Sequence, residues 1–211
     1  MLEFHVKNHT LFPTYVWETQ INGVDNESIL KYVYDRESKD PAGVRRSNVG
    51  GWHSHPYEMG DVPPECFKEL MNDCVDFVNG YCSEYTGVDD LVVGNYWFIT
   101  NRKYEYNSKH HHMGSFLSCA YYVKAPEKSG NIRLERDDHG EYYFGDRVGV
   151  SPYTSIGRFF EPKDGLLLVF PSWLLHSVEQ NLSDEDRVVL SINFCLPQES
   201  KKPPKEAVGR R

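Results

Sequence analysis

Short apolar runs follow one another through the second half of the chain, separated only by turn-rich segments. Runs of this length, bounded by glycine, proline and charged residues, are typical of β-strands. Serial short strands without intervening helices indicate an antiparallel barrel or sandwich. We therefore predict strands at 91–100, 115–124, 130–136, 141–144, 165–170, 175–180 and 187–196.

Helical spacing dominates the first half of the chain instead. Asp25 is a candidate N-cap, and the apolar residues after it recur at helical intervals to about Ser38. A second amphipathic helix is predicted after Asp61, with prolines in its first turn and an end at Gly80 or Gly87. The two helices are expected to support the barrel from outside.

The chain is long enough to bury one good-sized core. We expect a single domain over 1–198, with helical and loop support in 1–90 and the barrel core in 91–198. The Lys- and Pro-rich tail, 199–211, is expected to be flexible.

Composition excludes several classes of protein. The formal net charge is -8, which argues against a general binder of nucleic-acid backbones. No apolar run is long enough to cross a membrane, and no signal peptide is evident at the N-terminus. Five cysteines without a C-x-x-C pair favour reduced thiols, and therefore a cytoplasmic protein. The oligomeric state stays open, a homo-oligomer included.

Histidines supply the first candidate chemistry. His110 and His112 are two residues apart at the mouth of a predicted strand, where such residues point to the same side and His111 points away. A third, His176, follows the apolar strand 165–170. Either this is a polar loop with incidental histidines, or the barrel brings the three together on Fe(II), Zn(II) or a similar divalent metal. Because the neutral imidazole is the ligand, binding should weaken as the pH falls through roughly 6.

The other histidines show weaker patterns. His53 and His55 form an H-x-H in the Gly-, Pro- and Ser-rich segment 39–60. Either they approach the metal or substrate, or they lie in a solvated loop, and we expect the solvated loop. The remaining histidines are expected at the surface: His5, His9 and His139.

Arg187 is the fourth candidate, because an arginine within an apolar strand is costly to bury unless it meets an anion. Its planar fork suits a carboxylate held by two contacts. The alternative is that Arg187 begins the strand at the surface and pairs with Asp184 or Asp186.

Together these residues resemble the double-stranded β-helix Fe(II)/2-oxoglutarate-dependent oxygenases, and more narrowly the small oxygenases of this kind found in bacteria and tailed phages. The resemblance covers about residues 91–195, and Ser47–Trp52 resembles the N-terminal half of that family more loosely. It rests on Trp97, His110, His112, Ser115, Leu117, Ser118, Tyr121, Tyr122 and Val123, then Phe170 to Leu174, His176 and Val178, then Arg187, Ser191, Asn193 and Phe194.

The resemblance implies a jelly-roll or cupin-like barrel in which His110, His112 and His176 hold Fe(II). The third ligand of the wider superfamily is usually a carboxylate, in the order H-x-D…H, and His112 stands in that position here. Either this subgroup uses three histidines, or an acid such as Glu135 or Asp137 replaces His112.

The resemblance also implies the cosubstrates 2-oxoglutarate and O2. Arg187 would bind the distal carboxylate of 2-oxoglutarate, and Tyr122 would assist it, with Tyr121 as the alternative. Decarboxylation to succinate and CO2 would then be coupled to hydroxylation of a C–H bond. The primary substrate is not readable from the sequence, and 39–60 and 145–161 are expected to cover it.

Two other functions compete with this interpretation. A cupin-type metal enzyme that uses no 2-oxo acid would not need Arg187 in that place. A non-catalytic jelly-roll binding or structural module would hold its histidines only incidentally and would bind no metal.

Overall fold

The computed structural model describes residues 5–138, 151 and 153–197. The predicted strand 141–144, His139, residues 145–150 and 152, and the tail 199–211 lie outside these described residues. Within them, no helix is both long enough and apolar enough to span a bilayer.

Two antiparallel sheets form the body of the described chain. The larger sheet has the order β1-β10-β7-β12-β5-β3, with β4 also paired to β5. Its strands are β1 (Trp17–Gln20), β3 (Trp52–His53), β4 (Tyr57–Glu58), β5 (Val92–Asn101), β7 (Leu117–Lys124), β10 (Leu166–Pro171) and β12 (Arg187–Cys195).

The smaller sheet has the order β2-β6-β11-β8-β9. Its strands are β2 (Asn48–Val49), β6 (Tyr106–His110), β8 (Ile132–Glu135), β9 (Gly157–Phe160) and β11 (Leu175–Val178). The mostly β architecture with flanking helices is therefore as predicted, and the predicted strands within the described residues are present with small shifts at their ends.

Helices cover one face of the larger sheet. The segments are α1 (Asn26–Lys39), α2 (Glu65–Phe77), a π-helical turn (Val78–Cys82) and α3 (Ser83–Thr86). Asp25 caps α1 as predicted, because its carboxylate accepts a hydrogen bond from the Ser28 backbone N–H at 3.1 Å. Of the two predicted ends of the second helical region, Gly87 is the correct one: it has φ 70° and donates to the Ser83 carbonyl at 2.8 Å.

Three sequence predictions were wrong in detail. The second helix begins at Glu65, since the Asp61 carboxylate instead accepts from the Glu58 backbone N–H at 2.8 Å and closes the turn after β4. Segment 39–60 is not only a loop, because it contributes β2, β3 and β4. Two further strands were not predicted. The sequence of β6 is polar and gives no apolar run, and β9 lies in 145–161, where no strand was expected.

Successive side chains of β12 point to opposite faces of the larger sheet. Val188, Leu190 and Ile192 belong to the cluster packed with α1 and α2. Arg187, Val189, Ser191 and Asn193 line a cavity on the other face. One face of the strand therefore stabilises the fold while the other carries polar side chains into the interior.

Truncation of a side chain on the helix-facing side tests this division. Leu190 is fully buried, so we expect Leu190→Ala to lower the free energy of unfolding by about 2–5 kcal/mol through lost burial and the cavity left behind. Chemical denaturation of the purified variant measures this change. Leu196→Ala is the matched control because Leu196 is exposed, and an equal loss in both variants would contradict the described core.

Candidate metal centre

His110 and His176 lie opposite each other on neighbouring strands of the smaller sheet. His110 is the last residue of β6, and its Cα pairs in register with that of His176 on β11. Their ring centroids are 4.1 Å apart. Antiparallel pairing therefore joins two imidazoles that are distant in the sequence.

His112 reaches the same place from the turn after β6. Its backbone N–H donates to the Ser172 carbonyl at 2.8 Å, and its ring centroid lies 5.2 Å from that of His110 and 4.9 Å from that of His176. One potential ligand atom of each ring lies within 4.8 Å of the others. The three predicted histidines thus converge, although the H-x-H spans the end of β6 and not an extended segment entering β7. His111 is exposed between them.

Hydrogen bonds fix the same tautomer in the two paired rings. The Nδ1 atoms of His110 and His176 lie 2.8 Å and 3.0 Å from the backbone carbonyl oxygens of Ser108 and Leu174. Because a carbonyl oxygen only accepts, each neutral ring must donate from Nδ1. Each Nε2 therefore keeps a lone pair that is available to a metal.

Asn193 imposes the same tautomer on His112. Its Oδ1 lies 2.7 Å from His112 Nδ1, and its Nδ2 donates to Asn95 Oδ1 at 2.9 Å. The Ser118 hydroxyl donates to the same Asn193 oxygen at 2.8 Å and contacts the Ser172 hydroxyl at 2.7 Å. Partners of this kind orient metal-binding imidazoles. No role was predicted for Asn193, Ser118 or Ser172 from the sequence, although all three belong to the motif behind the resemblance.

Burial keeps the three imidazoles neutral. Desolvation, followed by the charge of neighbouring rings, lowers the pKa of His112 to about 4 and that of His176 to about 3. Desolvation also lowers the pKa of His110. The lowered pKa values of His112 and His176 therefore favour the neutral ligand form of these two rings below the pH of roughly 6 expected from the sequence.

The carboxylates considered as substitutes for His112 face other partners. Glu135 is buried on β8, where it forms ion pairs with Lys109 and, at 2.8 Å, with Arg133. Asp137 is exposed. Among the described residues, the metal-binding group at this place consists of the three histidines without an acid.

Arg187 lies inside the protein, with 1% of its surface exposed. Its Nη1 donates to the backbone carbonyls of Ser129, Gly130 and Glu179, and its Nη2 donates to Asn101 Oδ1 at 2.9 Å. The guanidinium is therefore held in place by neutral acceptors from two turns and one neighbouring strand.

Two features of this arginine point to an anion. Its Nε is buried and has no acceptor within the described part of the chain, and none of the described carboxylates forms an ion pair with the guanidinium. Desolvation lowers its pKa to about 10, as expected for a buried cation without a counterion. The alternative of surface pairing is wrong: Asp184 pairs with Lys103 at 2.5 Å instead.

Tyr122 and Tyr121 point to opposite faces of β7. Tyr122 lines the cavity beside Arg187, and burial raises the pKa of its hydroxyl to about 12. Tyr121 packs in the helix-facing core and donates from its hydroxyl to Asn26 Oδ1 at 3.0 Å. Of the two tyrosines weighed from the sequence, Tyr122 is the one near Arg187.

A single cavity of about 620 Å³ contains all the candidate residues. The three histidines and Arg187 line it, together with apolar residues that include Ala120, Val189 and Ile132. This volume suits a small organic ligand together with a metal.

His53 was wrongly expected in a solvated loop. Pairing of β3 with β5 buries it to 6% exposure, and its ring stacks on Trp97 with centroids 5.4 Å apart. It lines the cavity, and desolvation lowers its pKa. His55 is solvent-exposed as expected and lies 3.5 Å from Asp40.

The donor set fits a divalent transition metal and an anionic ligand. Three neutral imidazoles with free Nε2 lone pairs suit Fe(II) or Zn(II). The unpaired, buried Nε of Arg187 in the same cavity suits a carboxylate.

Removal of one imidazole tests the three-histidine arrangement. We expect His112→Ala to weaken Fe(II) or Zn(II) binding by more than the roughly 10–100-fold typical of losing an outer partner, because it deletes a ligand. Calorimetric titration of metal into metal-free protein measures the affinity. The neighbouring, exposed His111→Ala is the control, and equal effects of both substitutions would refute the arrangement.

Lowered histidine pKa values predict the pH dependence of the metal-free protein. Unfolding lets these imidazoles take up protons below about pH 6.5. Their contribution to stability is therefore complete above that pH and is lost as the pH falls toward 4. Urea denaturation of metal-free protein between pH 7.5 and 5 should show this loss, and His176→Leu should make it shallower. Identical slopes in both proteins would contradict the burial of neutral His176.

Comparison with known proteins bears on this site directly. Residues 95–193 match the protein family described as "Putative 2OG-Fe(II) oxygenase", where 2OG denotes 2-oxoglutarate. This range includes every histidine of the cluster, Arg187 and Tyr122. A search of the curated proteins finds no match to the chain.

Solved structures share the fold at low sequence identity. A prolyl-4-hydroxylase from Pseudomonas putida is 15% identical, with a TM-score of 0.57 over 85% of this chain and 91% of that one. A Trichoplax adhaerens prolyl hydroxylase, solved with a hypoxia-inducible-factor peptide, is 13% identical, with a TM-score of 0.59 over 86% and 83%. HygX from Streptomyces hygroscopicus, solved with nickel and 2-oxoglutarate, is 12% identical, with a TM-score of 0.55 over 86% and 83%.

The two sheets thus form a double-stranded β-helix, the fold expected from the sequence. The family match spans the part of the cavity contributed by the strands from β5 to β12, which includes the three histidines and Arg187. Residues 95–193 are thus similar to the family of Fe(II)- and 2-oxoglutarate-dependent oxygenases, with which the chain shares its fold.

Proposed function

We propose that this oxygenase binds Fe(II) through the Nε2 atoms of His110, His112 and His176, and anchors 2-oxoglutarate through Arg187. The observation that carries the proposal is the placement of a buried, incompletely paired arginine in the same cavity as three neutral imidazoles. Burying a cation with an unpaired hydrogen-bond donor costs free energy when no ligand is bound. A bound carboxylate lowers that cost.

The Fe(II) held at this site, with 2-oxoglutarate and O2, supplies C–H hydroxylation coupled to decarboxylation of 2-oxoglutarate to succinate. His110, His112 and His176 would occupy three coordination positions of the metal, which would leave further positions for exogenous ligands. The carbonyls of Ser108 and Leu174 keep the protons of two imidazoles on Nδ1 and so hold their Nε2 atoms ready.

Arg187 orients the cosubstrate at the far wall of the cavity. Backbone carbonyls of Ser129, Gly130 and Glu179 occupy Nη1, which leaves Nε for the distal carboxylate. We assign Tyr122 to the same end, where its protonated hydroxyl can donate to that carboxylate. Fixing both ends of the ligand lowers the entropic cost of reaching the reactive geometry.

The apolar wall residues exclude water from the reacting atoms. Ala120, Val189 and Phe170 border the cavity between its two polar ends. Such enclosure protects a strong oxidant from side reactions.

Segment 39–60 is proposed to contact the primary substrate. Arg46, Ser47, His53, Pro56 and Glu58 from this segment line the cavity. We extend the proposal to 145–161, on the length and irregularity of its sequence. The five free cysteines favour action in a reducing compartment such as a cytoplasm.

The cupin-type alternative, a metal enzyme without a 2-oxo acid, is disfavoured by Arg187. Such an enzyme has no use for a buried, unpaired guanidinium in the cavity that holds its metal. The non-catalytic alternative is disfavoured by the common tautomer of the three imidazoles, which incidental histidines would not share.

Cosubstrate binding provides the test. Fe(II) and then 2-oxoglutarate are added without oxygen, and the weak visible charge-transfer band of the chelated 2-oxo acid is recorded. We expect the band in the wild-type protein and a weakening of 2-oxoglutarate binding by roughly tenfold or more in Arg187→Ala, because a charge-assisted hydrogen bond is lost.

Arg46→Ala is the matched control, since Arg46 also lines the cavity but is exposed. It should retain wild-type affinity for 2-oxoglutarate. Metal binding without a band in the wild type would favour the cupin-type enzyme, and the absence of metal binding would favour the non-catalytic module.

A further inference from the structure

Asn101 is the last residue of β5 and lies directly opposite Arg187 on β12. Its side chain is 1% exposed and lines the same cavity as the arginine and the histidines. Neither the resemblance nor the family match assigned it a role. Because it lies beside Arg187, its unpaired hydrogen-bonding groups indicate what a ligand at this end of the cavity must provide.

The orientation of the Asn101 amide follows from its partner. Arg187 Nη2 lies 2.9 Å from Asn101 Oδ1. A guanidinium can only donate, so the amide oxygen must face it and the amide nitrogen must face away. Nδ2 is buried and has no acceptor among the described residues.

Neighbouring groups hold this orientation. Asn181 Nδ2 donates to the Asn101 backbone carbonyl at 2.9 Å and fixes the end of β5. Gly51 lies against the amide, since a Cβ added to Gly51 would come within 2.4 Å of Asn101 Nδ2. The side chain is therefore confined on one side by the backbone at Gly51 and on the other by Arg187.

Two adjacent side chains thus keep buried donors without acceptors, and a hydrogen bond joins them to each other. The donors are Arg187 Nε and Asn101 Nδ2. Buried donors are normally paired, and unpaired ones in a cavity indicate a missing acceptor. A carboxylate has two oxygens and about four acceptor positions, enough for both donors.

We propose that Asn101 Nδ2 donates to the distal carboxylate of the 2-oxo acid together with Arg187, and that Asn101 thereby helps select a five-carbon dicarboxylate. The inference rests on the proposed function of the same cavity. Asn101 then has two roles: its Oδ1 positions the guanidinium of Arg187, and its Nδ2 contacts the ligand.

A pair of ligands separates this role from a structural one. The ligand 2-oxopentanoate is 2-oxoglutarate with a methyl group in place of the distal carboxylate, so it can bind Fe(II) but cannot use Asn101. Affinities of both acids for the Fe(II)-loaded protein are measured without oxygen from the charge-transfer band. The preference for 2-oxoglutarate is the ratio of the two dissociation constants.

We expect Asn101→Ala to reduce this preference by roughly tenfold, with little change in 2-oxopentanoate affinity. Asn101→Asp should reduce it further, because an isosteric carboxylate pairs with Arg187 and repels the ligand. Asn107→Ala is the matched control: Asn107 is buried, lines the same cavity and donates to Ser47 Oγ at 3.1 Å, without contacting Arg187.

The outcomes separate a failure of the role proposed for Asn101 from a failure of the proposed oxygenase function. An unchanged preference in Asn101→Ala, or equal weakening of both acids, would overturn the role of Asn101 while leaving the oxygenase function intact. A wild-type protein that binds neither acid would overturn the proposed function itself. Circular dichroism of each variant, matched to the wild type, confirms that the barrel is folded.

Discussion

The candidate site depends on the pairing of β6 with β11. This short antiparallel contact places His110 directly opposite His176, and the turn that follows it brings His112 to the same point. Neither strand is strongly apolar, so the pairing is specified by the sheet around it. A shift of one residue in this register would turn one imidazole to the other side of its strand and separate the pair.

The charges around the cavity favour an anionic ligand. Three neutral imidazoles carry no negative charge to offset a divalent metal, and the nearest acid on β8, Glu135, is already paired with Lys109 and Arg133. The buried guanidinium of Arg187 adds a further positive charge at the opposite end. A dianion such as 2-oxoglutarate would place one carboxylate at each positive end, whereas a monoanion would leave one end without a counter-charge.

Local signals predicted much of this structure, and long-range contacts explain what was missed. The helix after Asp25 and the cavity histidines follow from capping, strand patterns and the motif itself. Burial of His53 could not be predicted, because it comes from pairing of β3 with β5. Asp61 was assigned to the wrong turn, since capping chemistry is the same at a helix start and in a β-turn. The choice of Tyr122 over Tyr121 required the register of β7.

The most direct test of the account is a crystal structure of the protein with Mn(II) and 2-oxoglutarate, grown without oxygen and phased at the manganese edge. We predict manganese bound to the Nε2 atoms of His110, His112 and His176, with the distal carboxylate of 2-oxoglutarate against Arg187. Manganese held by a carboxylate of the chain in place of His112, or a ligand carboxylate turned away from Arg187, would contradict it.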